Sequence, residues 1–546
     1  NFIGVDVGTG SVRAGLVNYR GQILKTCVRD IKTWNPKPNH YEQSSDNIWE
    51  AVCHCVRVVA KECEKHEIVG IGFDATCSLV VLDKSNKPLS VSTTDSNEQN
   101  IILWMDHRAE EEAELINSTQ HELLKYVGGK VSLEMQCPKL LWLKKNLREK
   151  CWKNAGSFFD LPDFLTYKAT GVNSRSICSA VCKWNYDAIN EKWSEDYLKL
   201  IGLDELCENE FAAIGKLLLC PGSNIGEGLS VEAADELGLL PKTAVAVSMI
   251  DAHAGSLALF GCKNPLNPEE IFSEKMAIIC GTSSCHMSVT DSPILTTGVW
   301  GPYKDAIFPE MYLNEAGQSA TGILLDFIVK SHPVYNEIHS KISATSNIYE
   351  YLNDHLHVLA KEKGNSYSYQ LLTENVHIWP DYHGNRSPLA DPNLKGMISG
   401  LTMSATLDNL ATIYLAFVQS LAYGTKHILE SLTKSGRREF KYILICGGLS
   451  KNSVFVQTLA YVCEMPVIVP NETEGVLLGA SMLGACASGV YSDLKTAAIY
   501  MGGCATATLP YRNENWNQYH RKKYKVFLKM LNDQRSYDEI MKSDIV

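Results

Sequence analysis

Apart from Gly4 and Asp6, the stretch Phe2-Ile3-Gly4-Val5-Asp6-Val7 is apolar, and the apolar character resumes after Gly8-Thr9-Gly10-Ser11 through Val12-Arg13-Ala14-Gly15-Leu16-Val17. This pattern predicts two strands joined by a glycine-rich turn. It is repeated downstream: Ala277-Ile278-Ile279-Cys280 runs into Gly281-Thr282-Ser283-Ser284 and on to Cys285-His286-Met287-Ser288-Val289. Between the two, residues 45–63 suit a helix, and Gly70 to Asp83 is an apolar strand region holding Asp74-Ala75-Thr76. Residues 106–150 are charged and helix-prone, interrupted by Gly128-Gly129 and Pro138, and read as an insertion over the substrate side of a first domain. Ala244 to Ser248 reads as a short strand ending at Met249-Ile250-Asp251-Ala252-His253.

The second half adds an insertion from about 330 to 395, a helix from Leu407 to Thr433, the strand Tyr442-Ile443-Leu444-Ile445-Cys446 before Gly447-Gly448, and a helix from Glu474 to Ala487. Pro265, Asn267 and Pro268 punctuate the chain between the halves. The expected division is 1–262 and 263–546, and the alternation of strands and helices predicts an α/β class. Two glycine turns after two apolar strands suggest similar halves facing one nucleotide, because such turns bring backbone N–H groups close to phosphate. Phosphotransfer or nucleotide hydrolysis is the implied chemistry.

With 546 residues, 45% of them hydrophobic, the chain can build two substantial cores with a cleft. A net charge of -11 and the lack of a long basic block exclude nucleic acid as the expected partner. The basic stretch Arg521-Lys522-Lys523-Tyr524-Lys525 reads as part of a solvated terminal helix. No apolar run is long enough for a membrane span, and no secretory leader is apparent. The 18 cysteines, Cys27, Cys77, Cys280 and Cys446 among them, lie mostly inside apolar runs, which fits free thiols in a reducing cytoplasm. Cys178 and Cys182 would make half a metal site, but no second suitable pair accompanies them, and Cys53-His54-Cys55 is equally incomplete; structural zinc is therefore not expected.

The ordered set Gly4-Val5-Asp6-Val7-Gly8-Thr9, Trp104-Met105-Asp106-His107-Arg108, Pro138-Lys139-Leu140-Leu141-Trp142, Asp251-Ala252-His253, Gly281-Thr282-Ser283-Ser284, Glu315-Ala316-Gly317-Gln318-Ser319 and Gly447-Gly448-Leu449-Ser450-Lys451-Asn452 resembles the FGGY carbohydrate kinases, above all the FGGY domain-containing D-ribulokinase group. The resemblance spans nearly the whole chain. It implies two actin-like, ribonuclease H-like ATPase domains around a central cleft, ATP and Mg²⁺ as cofactors, and phosphorylation of D-ribulose. Ribitol, xylulose or another pentose or polyol is the alternative substrate, and an actin-like ATP-binding interaction protein the nonenzymatic alternative. A homo-oligomer is compatible with either.

The same resemblance points to Asp251 as general base and Asp6 as the Mg²⁺ residue. It sets Gly8, Thr9, Gly10, Ser11, Gly281, Thr282 and Ser283 at the phosphates, with Gly447 and Gly448 nearer the adenosine. Asp74, Ala75, Thr76, Lys183, Asp251 and Glu315 are assigned to the ketose. Arg13 either contacts phosphate or points away, and Asn452 either binds nucleotide or caps the next helix. An Asp106–Arg108 ion pair would fix the sugar-side insertion. Gly255 and Gly261 are hinge candidates, with close packing as their other reading. Glu464 stands on the approach to Pro466-Val467, where the family pattern commonly has a glycine.

Overall fold

In the computed structural model, residues 1–267, 271–342, 347–364, 367–511 and 513–542 are described. Pro268, one of the boundary residues named above, lies outside them. The chain forms two compact units: Asn1–Lys263 with Met287–Asn314 and Asn471–Cys504, and Asn264–His286 with Glu315–Pro470 and Ala505–Val546. The predicted helix near 474–487 therefore falls in the first unit, although it follows the second unit's strands in sequence.

The first unit's sheet is built on β1 (Phe2–Val7), which is buried at every position. Burial on both faces explains why its sequence is continuously apolar rather than alternating. β1 pairs antiparallel with β2 (Ser11–Val17) through the tight turn between them, and parallel with β3 (Gly70–Ala75). Ala244–Val245 and Met249–Ile250 add to the far side of β3, also parallel. Strands running the same way end at the same edge, so Asp6, Asp74 and the residue after Ile250 share one end of the sheet. The helix Gly475–Ala487 lies against β1 and β3. Small residues allow this approach: a Cβ at Gly4 would lie 2.4 Å from the Leu477 carbonyl oxygen, and one at Gly72 2.0 Å from that of Ala480.

Two helices carry chemistry in this unit. α1 (Ile177–Lys183) is capped by Ser176, whose hydroxyl accepts from the Cys178 N–H. α2 (Asp251–Gly261) begins directly after Met249–Ile250. Gly255 and Gly261 are buried inside α2. A Cβ at Gly261 would come within 2.2 Å of the Ala498 carbonyl oxygen, so this glycine serves close packing and not the hinge proposed for it.

The plan is repeated further along the chain. β4 (Lys275–Cys280) is followed by the turn 281–283 and β5 (Ser284–Thr290), and β4 pairs parallel with β6 (Tyr442–Cys446). Val467–Pro470 then pairs parallel with β6, and Ala505–Thr508 antiparallel with Val467–Pro470. Thus the series of strand, glycine turn, second strand and parallel neighbour occurs twice, although β5 from Met287 onward is grouped with the first unit. The helix Leu407–Lys434 matches its expected span and buries one long face.

The terminal helix Glu514–Lys542 departs from expectation. It is not simply solvated: Tyr524, Phe527, Met530 and Leu531 are buried with Lys523. The Lys523 ammonium donates to the Thr373 carbonyl at 2.8 Å. The basic run misled because a long aliphatic stem can be buried when carbonyls receive its charged end.

Candidate active site

Asp6 and Asp74 are register partners on β1 and β3, and Met249 and Ile250 pair with Asp74 and Ala75. The sheet thereby brings Asp6, Asp74 and Asp251 to the carboxyl ends of adjacent parallel strands, the usual ligand edge of an α/β sheet. Asp74 has no exposed surface, and burial, then the charges of Asp6 and Asp251, raise its carboxyl far above the ordinary range. Asp6 is also raised, chiefly by burial, while Arg13 opposes the rise. The two carboxyls thus lie side by side on paired strands, each held above the ordinary carboxylate range mainly by burial. Asp74 is fully buried beside Asp6 at this edge.

Arg13 lies 3.8 Å from Asp6 and 3.7 Å from Glu474 and remains half-exposed. It balances the carboxylate on the neighbouring strand. Asp251 is the first residue of α2, where the helix dipole favours a carboxylate, and its Oδ1 accepts from the Ala252 N–H at 2.7 Å. The turn after β1 is closed by the Gly8 N–H donating to the Ser11 carbonyl at 3.0 Å. A Cβ at Gly10 would meet nothing within 4 Å, so the glycine leaves open space above the turn. Thr9 is anchored: Trp104 Nε1 donates to its hydroxyl at 3.0 Å, and Gln43 to its carbonyl at 2.8 Å.

The sugar-side candidates are held by buried charge networks. Lys183 ends α1, next to Trp184. It is buried, with its ammonium 3.6 Å from Glu134 and 4.4 Å from the centre of the Trp300 ring. Lys139 is fully buried and donates to the carbonyls of Leu103 at 3.1 Å, Glu134 at 3.4 Å and Trp104 at 3.5 Å. The expected Asp106–Arg108 pair forms with two bonds, at 2.9 and 2.8 Å, and Glu42 completes it at 2.9 Å. Ala75 closes β3, and the Thr76 hydroxyl lies 3.1 Å from that of Ser78. Glu42, Glu134 and Trp300 were missed because they are separated from their partners by long spans with no local signal. Trp104 sat within a quoted motif and could have been found.

In the second unit, Gly281 and Thr282 are exposed, and the turn is braced by Thr321 and Gly322 donating to the carbonyls of Thr282 and Gly281 at 2.9 and 3.1 Å. Ser283 closes the turn by accepting from the Gly281 N–H at 2.8 Å. Gly447 and Gly448 divide in role. Gly447 has φ 91°, and a Cβ there would lie 2.4 Å from the Cys280 carbonyl oxygen, so the fold itself requires glycine. A Cβ at Gly448 would meet nothing. Asn452 is the cap of Ser453–Cys463: it accepts from the Phe455 N–H at 3.2 Å and from Asn353, and donates to the Tyr414 hydroxyl at 2.7 Å. Its amide is engaged within the fold, which favours the capping reading. Glu315 is buried in the strand Tyr312–Gln318 and accepts from Arg386 at 2.9 Å.

Comparison with known proteins places these features in context. Residues 1–261 match the N-terminal domain, and residues 276–488 the C-terminal domain, of the FGGY family of carbohydrate kinases. A human FGGY carbohydrate kinase domain-containing protein is 48% identical over 100% of this chain and 98% of its own length. A D-ribulokinase of Saccharomyces cerevisiae is 40% identical, over 89% of this chain and 72% of its own. The ligand-bound xylulose kinase of Lactobacillus acidophilus has the same fold, with a TM-score of 0.78 at 18% identity over 99% of both chains.

Proposed function

Because the chain belongs to the FGGY family of carbohydrate kinases, with its two-domain actin-like fold, we propose that it transfers the γ-phosphoryl group of ATP to the terminal hydroxyl of D-ribulose, giving ADP and D-ribulose 5-phosphate. The substrate choice is carried by the 40% identity to the yeast protein named D-ribulokinase. Asp251 supplies the chemistry. Its carboxylate accepts the hydroxyl proton late, as the oxygen attacks phosphorus, once the hydroxyl is positioned. Lys183 donates to the ketose carbonyl or a hydroxyl, and Glu315 accepts from a hydroxyl. Both are already oriented by ion pairs, which lowers the cost of ordering them.

The turns at Gly8-Thr9-Gly10-Ser11 and Gly281-Thr282-Ser283 bind phosphate oxygens. Asp6 is the residue assigned to Mg²⁺. The fit rests on the convergence of the Asp6, Asp74 and Asp251 carboxyls at one sheet edge, where a hard divalent cation would offset their charge. When bound, the ion reduces repulsion among the phosphate oxygens.

The substrate is tested by comparing kcat/KM for D-ribulose, D-xylulose, L-ribulose, ribitol and glycerol. D-ribulose is expected to lead, and dominance by another compound overturns the assignment. ATP binding without stimulation of ADP formation by any of them would favour a binding protein. The base is tested with Asp251→Asn, which should preserve fold and ATP affinity while lowering kcat by roughly 10²-fold or more. Near-normal kcat at saturating sugar would reject Asp251.

A further inference from the structure

Cys178 and Cys182 stand one helical turn apart on α1, so both thiols project from the same face. The structure adds what their spacing lacked: His253, from the first turn of α2. Cys178 and Cys182 have no exposed surface and His253 has 1%. One donor atom from each lies within 4.8 Å of the other two, and Cys182 Sγ is 3.6 Å from His253 Nε2. A tetrahedral zinc ion with Zn–S of about 2.3 Å and Zn–N of about 2.05 Å would hold these two atoms about 3.6 Å apart.

We propose that Cys178, Cys182 and His253 form a buried site for a thiophilic divalent cation, with Zn²⁺ as the natural occupant. Binding replaces two S–H bonds by two metal–sulfur bonds and releases two protons to solvent, while neutral His253 donates the Nε2 lone pair with its proton on Nδ1. Two thiolates and one divalent cation sum to zero charge, which lowers the cost of burying the ion, and a water carried in with it takes the fourth tetrahedral position. The donor set is soft sulfur and imidazole, so it selects against Mg²⁺, whose preferred ligands are oxygens. The site also has a position of consequence. Cys182 precedes Lys183, and His253 follows Asp251 by two residues, so the ion would join the helix end carrying a sugar-facing lysine to the helix start carrying the base. That consequence rests on the kinase reading; metal binding does not.

The ordinary alternative is a core thiol hydrogen-bonded to an imidazole, which needs no metal. To separate them, protein expressed with zinc supplementation and purified under reducing, chelator-free conditions is analysed for bound zinc and by zinc-edge X-ray absorption. Near-stoichiometric zinc with two sulfur ligands and at least one imidazole is expected. Absence of zinc, or zinc bound only through nitrogen and oxygen, overturns the proposal without any variant. Protein stripped of zinc is then titrated with Co²⁺, for which thiolate-to-metal charge-transfer bands and d–d bands of tetrahedral intensity are expected. Cys178→Ser and Cys182→Ser should each weaken binding by at least about tenfold, whereas Cys504→Ser, which removes an exposed thiol elsewhere, should not. Equal Co²⁺ titrations in wild type and in both site variants overturn the assignment even if all proteins bind metal and retain kinase activity.

Discussion

Lys139 shows what single residues do here beyond touching a ligand. Its ammonium is sealed from water, burial lowers its pKa, and three carbonyls receive its protons. Two of those carbonyls belong to Trp104, which holds Thr9, and Glu134, which faces Lys183. Lys139→Met keeps much of the volume but strands the carbonyls, at about 1–3 kcal/mol for each buried acceptor left unsatisfied. The variant should therefore unfold at clearly lower urea and show a raised KM for the sugar with a smaller change in kcat. An unchanged midpoint and KM would mean that the carbonyls find other partners and that Lys139 positions nothing. At this scale the sequence disclosed residues inside motifs, such as Asp6, Asp251 and the Asp106–Arg108 pair. It could not disclose Glu42 or Trp300, whose roles arise only when distant segments meet.

Elements were more legible than their assignment to units. β1, β6 and the helix Leu407–Lys434 carry strong local patterns, whereas the helix Gly475–Ala487 reveals its place only through its fit against Gly4 and Gly72. Glu464 is the informative departure. It ends the helix Ser453–Cys463 in the left-handed region at φ 56°, the conformation that makes glycine common at such a position. Arg521 grips its carboxylate through two nitrogens, at 3.0 and 2.6 Å. The strain of a side chain in this region costs about 1–2 kcal/mol, while a partly exposed ion pair contributes about 0–1 kcal/mol. Glu464→Gly should consequently leave stability unchanged or raise it by about 1 kcal/mol, measured by equilibrium denaturation. A loss above about 1 kcal/mol would show that the arginine clamp outweighs the backbone strain.

At the scale of the whole molecule, the two units bury opposite kinds of titratable group. In the first, burial raises Asp160 to about 7 and Asp163 to about 6, and raises Asp74 as well, while a lowered His40 works the other way. In the second, burial lowers His286 and His520 to about 3 and His427 to about 4, opposed by Asp381 raised to about 6. A carboxyl whose folded pKa is raised stabilises the fold most at low pH, and that contribution is lost as pH climbs through the folded value. A histidine whose folded pKa is depressed contributes above about pH 6.5, and its contribution falls as the unfolded chain takes up the proton that the native core refuses. Acidification from about pH 7.5 to about pH 5.5 should thus strengthen the first unit and weaken the second. Fully uncharged His286 and His520 would together cost the second unit about 2–3 kcal/mol over this interval, at about 1.4 kcal/mol per proton and pH unit. Hydrogen exchange, corrected for the intrinsic pH dependence of amide exchange, can read the units separately. The opening free energy should fall along Leu407–Lys434 and Glu514–Lys542 and rise along Leu161–Thr170, which carries Asp163. A uniform change in both units would reject this division of buried charge, because only oppositely shifted groups can move the two stabilities in opposite directions over one pH interval.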